Sequence, residues 1–276
     1  MNDPTLHPVV VKFIEENDLE TLEGAFAFTG GEDLVKPGLG RRRRTRLRVH
    51  DSENRCWEMY LKRYDSPSLP KRLCRFLTGR RTDCPARREF EAARRLREAY
   101  VPALRPIVWG AEQGRLGVKR SYVIVSAVPG DALERIGEEF LQRHLKHPEV
   151  MEAFTDELIQ LVHRMHEIGY VHRDLYASHV FLHDCEGNLR LYLIDLARAF
   201  RPRRRVFRWR VKDLAQLKYS MPWMWVKLYW SRFLHGYLAG DDEMEFSRWD
   251  AAIDAKIRRM ARHDQHRDEK QRQADR

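Results

Sequence analysis

The 276-residue chain is 43% hydrophobic and 11% aromatic, enough for a substantial core and too much for a disordered protein. Its 51 Lys and Arg against 41 Asp and Glu leave a net charge of +10, so anionic partners are expected. Cys56, Cys74, Cys84 and Cys185 form neither a CxxC pair nor zinc-ligand spacing, which excludes a disulfide scaffold and a structural zinc site and fits reduced cytosolic thiols.

Met1-Asn2-Asp3-Pro4-Thr5 lacks the basic region and apolar run of a secretory signal, so a cytoplasmic location is expected. Residues 1–25 carry no long period beyond Val9-Val10-Val11 and read as an N-terminal extension. Residues 26–127 read as a β-rich lobe. Arg46 to Val49 and Trp57 to Lys62 alternate on either side of the turn His50-Asp51-Ser52-Glu53-Asn54, a hairpin ending in a lysine. A basic, proline-punctuated stretch follows, and Leu69, Leu73, Phe76 and Leu77 among its cations make Leu69 to Arg81 amphipathic. From Ala86 to Ala99 the apolar residues Phe90, Ala93 and Leu96 recur at helical spacing. Strands at Ile107 to Trp109 and Ser121 to Val125 complete this lobe, and Val128-Pro129-Gly130-Asp131 breaks the pattern.

Residues 128–257 read as mainly helical, with strands near Val180 to Leu182 and Leu191 to Ile194. The run from Met221 to Leu234 is interrupted by Lys227 and Arg232 and is shorter than the ~20 apolar residues that span a bilayer, so a buried helix is expected, with an interfacial one as alternative. Residues 258–276 are almost all charged or polar and read as a solvated tail. The division into a β-rich part and a helix-rich part predicts two lobes with a hinge near residues 126–130.

The chemistry concentrates in Val171-His172-Arg173-Asp174-Leu175-Tyr176-Ala177-Ser178-His179 and in Leu191-Tyr192-Leu193-Ile194-Asp195. Alone, each aspartate reads as a surface cap or turn residue. Together, an aspartate in an H-R-D turn and a second ending an apolar strand suit phosphoryl transfer from ATP, one carboxylate accepting the acceptor's proton and the other holding Mg2+. Lys62 ends a strand resembling the V-A-I-K strand of protein kinases, with Glu89 as its expected partner and Glu91 as the alternative. The candidate catalytic residues are Asp174, Arg173 and Lys62. ATP is expected against Lys62, Ser126 to Val128 and Asp195, with Gly38 and Gly40 as a weak phosphate-covering turn and Arg41 to Arg44 as a substitute for it.

H-R-D-L-Y-A-S-H, L-I-D-L-A-R and R-W-R-V-K-D-L-A-Q-L at Arg208 to Leu217 resemble the lipopolysaccharide core kinase family of the WaaP/Kdo-kinase type, within the protein-kinase-like superfamily. The resemblance covers about Leu34 to Tyr237. It implies an α+β, protein-kinase-like bilobal fold, with a β-rich N-lobe carrying one main helix and a helical C-lobe. It further implies transfer of the γ-phosphate of ATP, with Mg2+, to a heptose or Kdo hydroxyl of a lipid-A-anchored core glycan at an anionic membrane surface. Asp213 corresponds in it to the aspartate that braces the catalytic turn, the alternative being a surface pair with Lys212. His179 stands where protein kinases place a metal-binding Asn, and is expected near the metal with Asp195. Ala197 replaces the glycine of D-F-G. A kinase of the same fold acting on a protein or small molecule, as in the RIO and antibiotic-kinase branches, is the enzymatic alternative, and a pseudokinase the non-enzymatic one. No nucleic-acid motif is present, and the oligomeric state is open.

Overall fold

The computed structural model describes residues 6–34, 42–79, 82–185, 187–240 and 242–274. It divides into two compact units, Met1–Val128 with Ile194–Ala199, and Pro129–Leu193 with Phe200–Arg276. The segment Ile194–Ala199 thus belongs with residues far from it in sequence, which a linear division does not contain. The architecture is α+β, an antiparallel sheet with helices in the first unit and a mainly helical second unit.

The first unit runs α1 (Pro8–Glu16), α2 (Leu22–Ala27), β1 (Glu32–Asp33), β2 (Arg42–His50), β3 (Cys56–Tyr64), α3 (Leu69–Leu77), α4 (Pro85–Glu98), β4 (Pro106–Gly114) and β5 (Gly117–Ser126). The strands form one antiparallel sheet in the order β1-β2-β3-β5-β4. The β2–β3 connection is tight because Asp51 Oδ1 accepts the backbone N–H groups of Glu53 and Arg55 at 2.9 and 3.0 Å, while Asn54 takes the left-handed conformation that Asn tolerates. Strand alternation then sorts side chains to two faces. Leu47, Met59, Leu61, Tyr122 and Ile124 point to one of them and are buried, whereas Arg44 and Lys62, paired across β2 and β3, belong to the other.

The apolar face is covered by residues without a long sequence period. Residues 8–27 are not a free extension: Val10, Ile14, Leu19 and Ala25 share the buried cluster with Leu47, Met59, Leu61 and Ile124. Tyr122 locks them there. Its hydroxyl hydrogen is shared between the carbonyls of Leu19 and Glu20 at 3.0 and 2.7 Å, and its ring lies over Gly110, where a Cβ would come within 2.5 Å of the ring. On α3, Leu73, Phe76 and Leu77 are exposed.

The second unit runs β6 (Asp131–Ala132), α5 (Leu133–His144), α6 (Pro148–Glu167), β7 (Val180–Cys185), β8 (Asn188–Leu193), α7 (Val206–Ser220), α8 (Trp223–Leu238) and α9 (Glu243–Ala274). Gly130 precedes β6 with φ of 82°, and a Cβ there would lie 2.0 Å from the Leu182 carbonyl, so only glycine lets the chain pass β7. On α6 the buried residues Leu158, Leu161, Val162 and Met165 recur at helical spacing. Helix α8 buries Trp225, Trp230, Phe233, Leu234 and Tyr237, and exposes Trp223 and Leu228. Lys218 joins α7 to α9 through Asp250 and Asp254 at 2.9 and 2.8 Å. Helix α9 buries Trp249 and Ile253 and continues as a helix through the charged tail. No described helix is long and apolar enough to cross a membrane.

His166, on the last turn of α6, is fully buried. Its Nε2 lies 3.2 Å from Asp213 Oδ2 and its Nδ1 2.8 Å from the Tyr237 hydroxyl. A carboxylate only accepts, so Nε2 donates to Asp213; burial favours the neutral imidazole, in which Nδ1 accepts the Tyr237 hydrogen. Burial holds its pKa below the ordinary 6.5, against the opposing pull of Asp213.

Two predictions follow from this packing. Tyr122→Phe strands two carbonyls under α1 and α2 and is expected to cost about 1–3 kcal/mol in denaturant unfolding; unchanged stability would show that the hydroxyl ties nothing down. For His166 the unfolded chain takes up a proton at higher pH than the folded one, so its stabilising contribution is complete above about pH 6.5 and is lost as pH falls below it. The wild type is therefore expected to lose up to about 1.4 kcal/mol more per pH unit below 6.5 than His166→Gln does, measured as paired unfolding curves from pH 7 to 5.

Candidate active site

In the first unit, Lys62 ends up beside α4 because it is on the sheet face opposite the α1–α2 core. Its Nζ lies 2.5 Å from Glu89 Oε1, with 9% of the lysine side chain exposed and none of the glutamate. The alternative, Glu91, pairs with Arg94 at 2.8 Å and is partly exposed. The buried face of α4 is Ala86, Glu89, Ala93 and Leu96, which puts the acid on the core side and leaves Phe90 only partly covered. Tyr64 donates from its hydroxyl to Glu89 Oε2 at 3.4 Å, and burial pushes its pKa well above the ordinary range.

Asp195 belongs to this unit as well, in the left-handed region with φ of 55° and ψ of 56°. Aspartate tolerates that conformation, and the 3-10 turn Leu196–Arg198 follows it, with Ala197 buried at ordinary φ. No glycine is needed at position 197 because the left-handed residue is Asp195 itself. Asp195 Oδ2 accepts from Arg44 Nη2 at 3.1 Å. Ser126 closes β5, donating its backbone N–H to the Arg105 carbonyl and accepting the Arg105 N–H on its hydroxyl, and Ala127 donates to the Glu58 carbonyl. Val128 is the last residue of the unit before Pro129. Gly38, Gly40 and Arg41 lie outside the described residues.

In the second unit the turn around Asp174 is built on Asp213 of α7. This carboxylate is fully buried and accepts the backbone N–H of His172 at 2.6 Å and of Arg173 at 2.7 Å, besides the His166 imidazole. It is not the surface partner of Lys212. Lys212 donates instead to the Arg173 carbonyl, and its Nζ stands 4.0 Å from Asp174 Oδ1. Arg173 takes φ of 71°, and its guanidinium lies over the rings of Phe200 and Trp209, 5.4 and 5.3 Å from their centroids. The arginine thereby braces the turn from below while Asp174 remains partly exposed at its rim. His179 Nδ1 is 2.6 Å from the Asp174 carbonyl. A carbonyl cannot donate, so Nδ1 carries a proton; in the neutral ring Nε2 then holds the lone pair, the tautomer that a ligating imidazole needs.

The structure therefore groups the sequence candidates into two sets. Lys62, Glu89, Asp195 and Ser126 to Val128 belong to the first unit; Arg173, Asp174 and His179 belong to the second. Two residues outside the sequence reading of the site join them, Tyr64 and Lys212. The first could have been found from its strand phase, two positions after Lys62. The second carried no local signal beyond its position beside Asp213. A buried lysine paired with a buried glutamate suits phosphate oxygens, and one carboxylate at a chain turn suits Mg2+, which keeps water and phosphate as its other ligands. Among the described residues no group of three or more His, Cys, Asp and Glu could hold a metal by itself.

The sequence profile of the lipopolysaccharide kinase (Kdo/WaaP) family matches residues 35–237. The chain is 32% identical over 149 residues to the lipopolysaccharide core heptose(I) kinase WaaP of Pseudomonas aeruginosa, covering 52% of this chain and 55% of that one. It is 30% identical over 169 residues to the protein of the same name from Escherichia coli, covering 58% and 62%. The chain thus spans somewhat under two thirds of the length of these curated relatives. A solved structure described as WaaP in complex with acyl carrier protein superposes with a TM-score of 0.67 at 25% identity, over 91% of this chain and 95% of that one. With the profile spanning both the Lys62 sheet and the Asp174 turn, the chain belongs to the lipopolysaccharide kinase (Kdo/WaaP) family.

Proposed function

We propose that this chain is an ATP-dependent kinase that phosphorylates a sugar hydroxyl of the lipopolysaccharide inner core. The observation that carries the reading is the H-R-D turn pinned by a fully buried Asp213, which holds Asp174 as a fixed carboxylate with a lysine 4.0 Å away. Heptose is favoured over Kdo because the relatives from two organisms are both named heptose(I) kinases. A core glycan anchored in lipid A places the reaction at the cytoplasmic face of the membrane. The net charge of +10 and the exposed Leu73, Phe76 and Leu77 on α3 support a peripheral association there. Acyl carrier protein is a partner of the solved relative; for this chain a partner of that kind is part of the proposal, supported by the same charge.

In the mechanism, Asp174 orients the acceptor hydroxyl and takes its proton as the phosphoryl group moves. Lys212 lies close enough to offset negative charge that develops beside Asp174. Lys62, steadied by Glu89, contacts the phosphates of ATP, and Ser126 to Val128 border the base. Asp195 would hold Mg2+, which when bound would supply neutralisation of phosphate charge, and the His179 imidazole is of a type that could serve as a further metal ligand. Arg173 acts through the turn it braces and not on the substrate.

Asp174→Ala is expected to lower phosphate transfer at least 10³-fold while leaving ATP affinity within about threefold, and Asp195→Ala to weaken binding of Mg2+-ATP at least tenfold. Isothermal calorimetry and turnover on purified protein separate the two, and wild-type turnover in either variant removes the assignment. The acceptor is tested by mass spectrometry of core glycolipid from cells with and without the gene. Loss of one phosphate from the inner core is expected; an unchanged glycolipid, with phosphate found on a protein, would point to the protein-kinase alternative.

A further inference from the structure

Strand β2 carries an arginine at four of its first five positions, and of these only Arg44 is paired with a carboxylate of the nucleotide site. Alternation sends Arg43 to the face of Phe26, where its guanidinium lies over that ring. Arg46 is engaged by Glu32 and Glu58, at 3.3 and 3.7 Å, and Arg42 lies over the Tyr64 ring. Arg44 alone among these four is paired with Asp195, 151 positions away, at 3.1 Å.

Its register makes the pairing informative. Arg44 stands directly opposite Lys62 in the β2–β3 ladder, and like charges at opposed positions of a sheet repel. Each has a carboxylate to offset this: Glu89 for Lys62 and Asp195 for Arg44. The two pairs differ in permanence. Lys62–Glu89 is buried, whereas Arg44 and Asp195 are 30% and 26% exposed, so water screens their attraction and the contact is cheap to exchange.

We propose that Arg44 is a phosphate-binding residue of the nucleotide site, exchanging its contact with Asp195 for the phosphates when Mg2+-ATP enters. The inference rests on the kinase reading and deepens it. A triphosphate offers several anionic oxygens in forked geometry, a stronger partner for a guanidinium than one half-exposed carboxylate. Releasing Arg44 removes a competing cation from the Asp195 carboxylate as the incoming cation arrives, so the exchange trades one positive partner for another. Two cations projected from neighbouring strands then grip the polyphosphate from the sheet, a task that glycine-rich loops perform with backbone N–H groups.

The test is equilibrium binding, without turnover, of ATP and of adenosine to wild type, Arg44→Met and Arg44→Lys in the presence of Mg2+. Arg44→Met is expected to lose at least tenfold in ATP affinity and to keep adenosine affinity within twofold, and Arg44→Lys to recover ATP affinity to within about threefold of wild type. Thermal unfolding of all three checks that the sheet is intact. If Arg44→Met binds ATP within twofold of wild type, or loses adenosine and ATP in equal measure, Arg44 is no phosphate ligand and this inference fails while the kinase reading stands. Wild-type protein that does not bind ATP at all would remove the kinase reading, and this inference with it.

Discussion

The second unit depends on one buried carboxylate. Asp213 has no exposed surface, and charge in that position is tolerable only because three donors converge on it: the N–H groups of His172 and Arg173 and the imidazole of His166. The same three bonds fix the backbone on which Asp174 sits. Arg173 with φ of 71° is a costly conformation for a residue with a side chain, and it persists because both flanks are held, by Asp213 on its N–H and by Lys212 on its carbonyl. The strain is maintained by the helical core, not by the loop. Through His166 and Tyr237 the brace reaches α6 and α8, so the position of one carboxylate at the rim is set by packing three helices deep.

The first unit solves a different problem with the sheet's two faces. One face is closed by α1 and α2 over Leu47, Met59, Leu61 and Ile124, so it is committed to stability. The opposite face is thereby left to carry cations, and Lys62 and Arg44 sit on it side by side. Burying a lysine there is made possible by Glu89 arriving from α4. Asp195 comes from a distant part of the chain to complete the set, in a left-handed turn that also removes the need for glycine at position 197.

Much of this was legible in the chain. The division into a β-rich and a helix-rich part could be read from the order of strand, helix and turn patterns, because periodicity is a local property that survives into the folded state, and the kinase-like fold from the resemblance carried by the H-R-D and L-I-D-L-A-R motifs. The types of group needed for phosphoryl transfer, and their order Lys62, Glu89, Asp174, Asp195, were equally visible. Other features were not. Residues 8–27 form two short helices whose stability comes from the sheet beneath them and from the Tyr122 hydroxyl, so their own pattern is too brief to signal them. The buried face of α4 was slightly misphased by an apolar reading, since its inward residue is the charged Glu89 and not Phe90. Lys212, whose surface pairing with Asp213 was the alternative reading, instead donates to the Arg173 carbonyl and stands 4.0 Å from Asp174 Oδ1.

By itself the sequence determined which chemical groups are available and which short segments hold them: an H-R-D turn, a strand ending in lysine, a strand ending in aspartate, and a basic surface. Local rules suffice for that, because backbone dihedrals and alternation act over a few residues. Only the tertiary structure decided how the charges pair. Lys62 with Glu89 is 27 positions apart, Asp213 with His172 is 41, and Arg44 with Asp195 is 151. Each choice is made by which face of an element is buried and by what else has been excluded from water there, and these are properties of the closed fold that no segment carries alone.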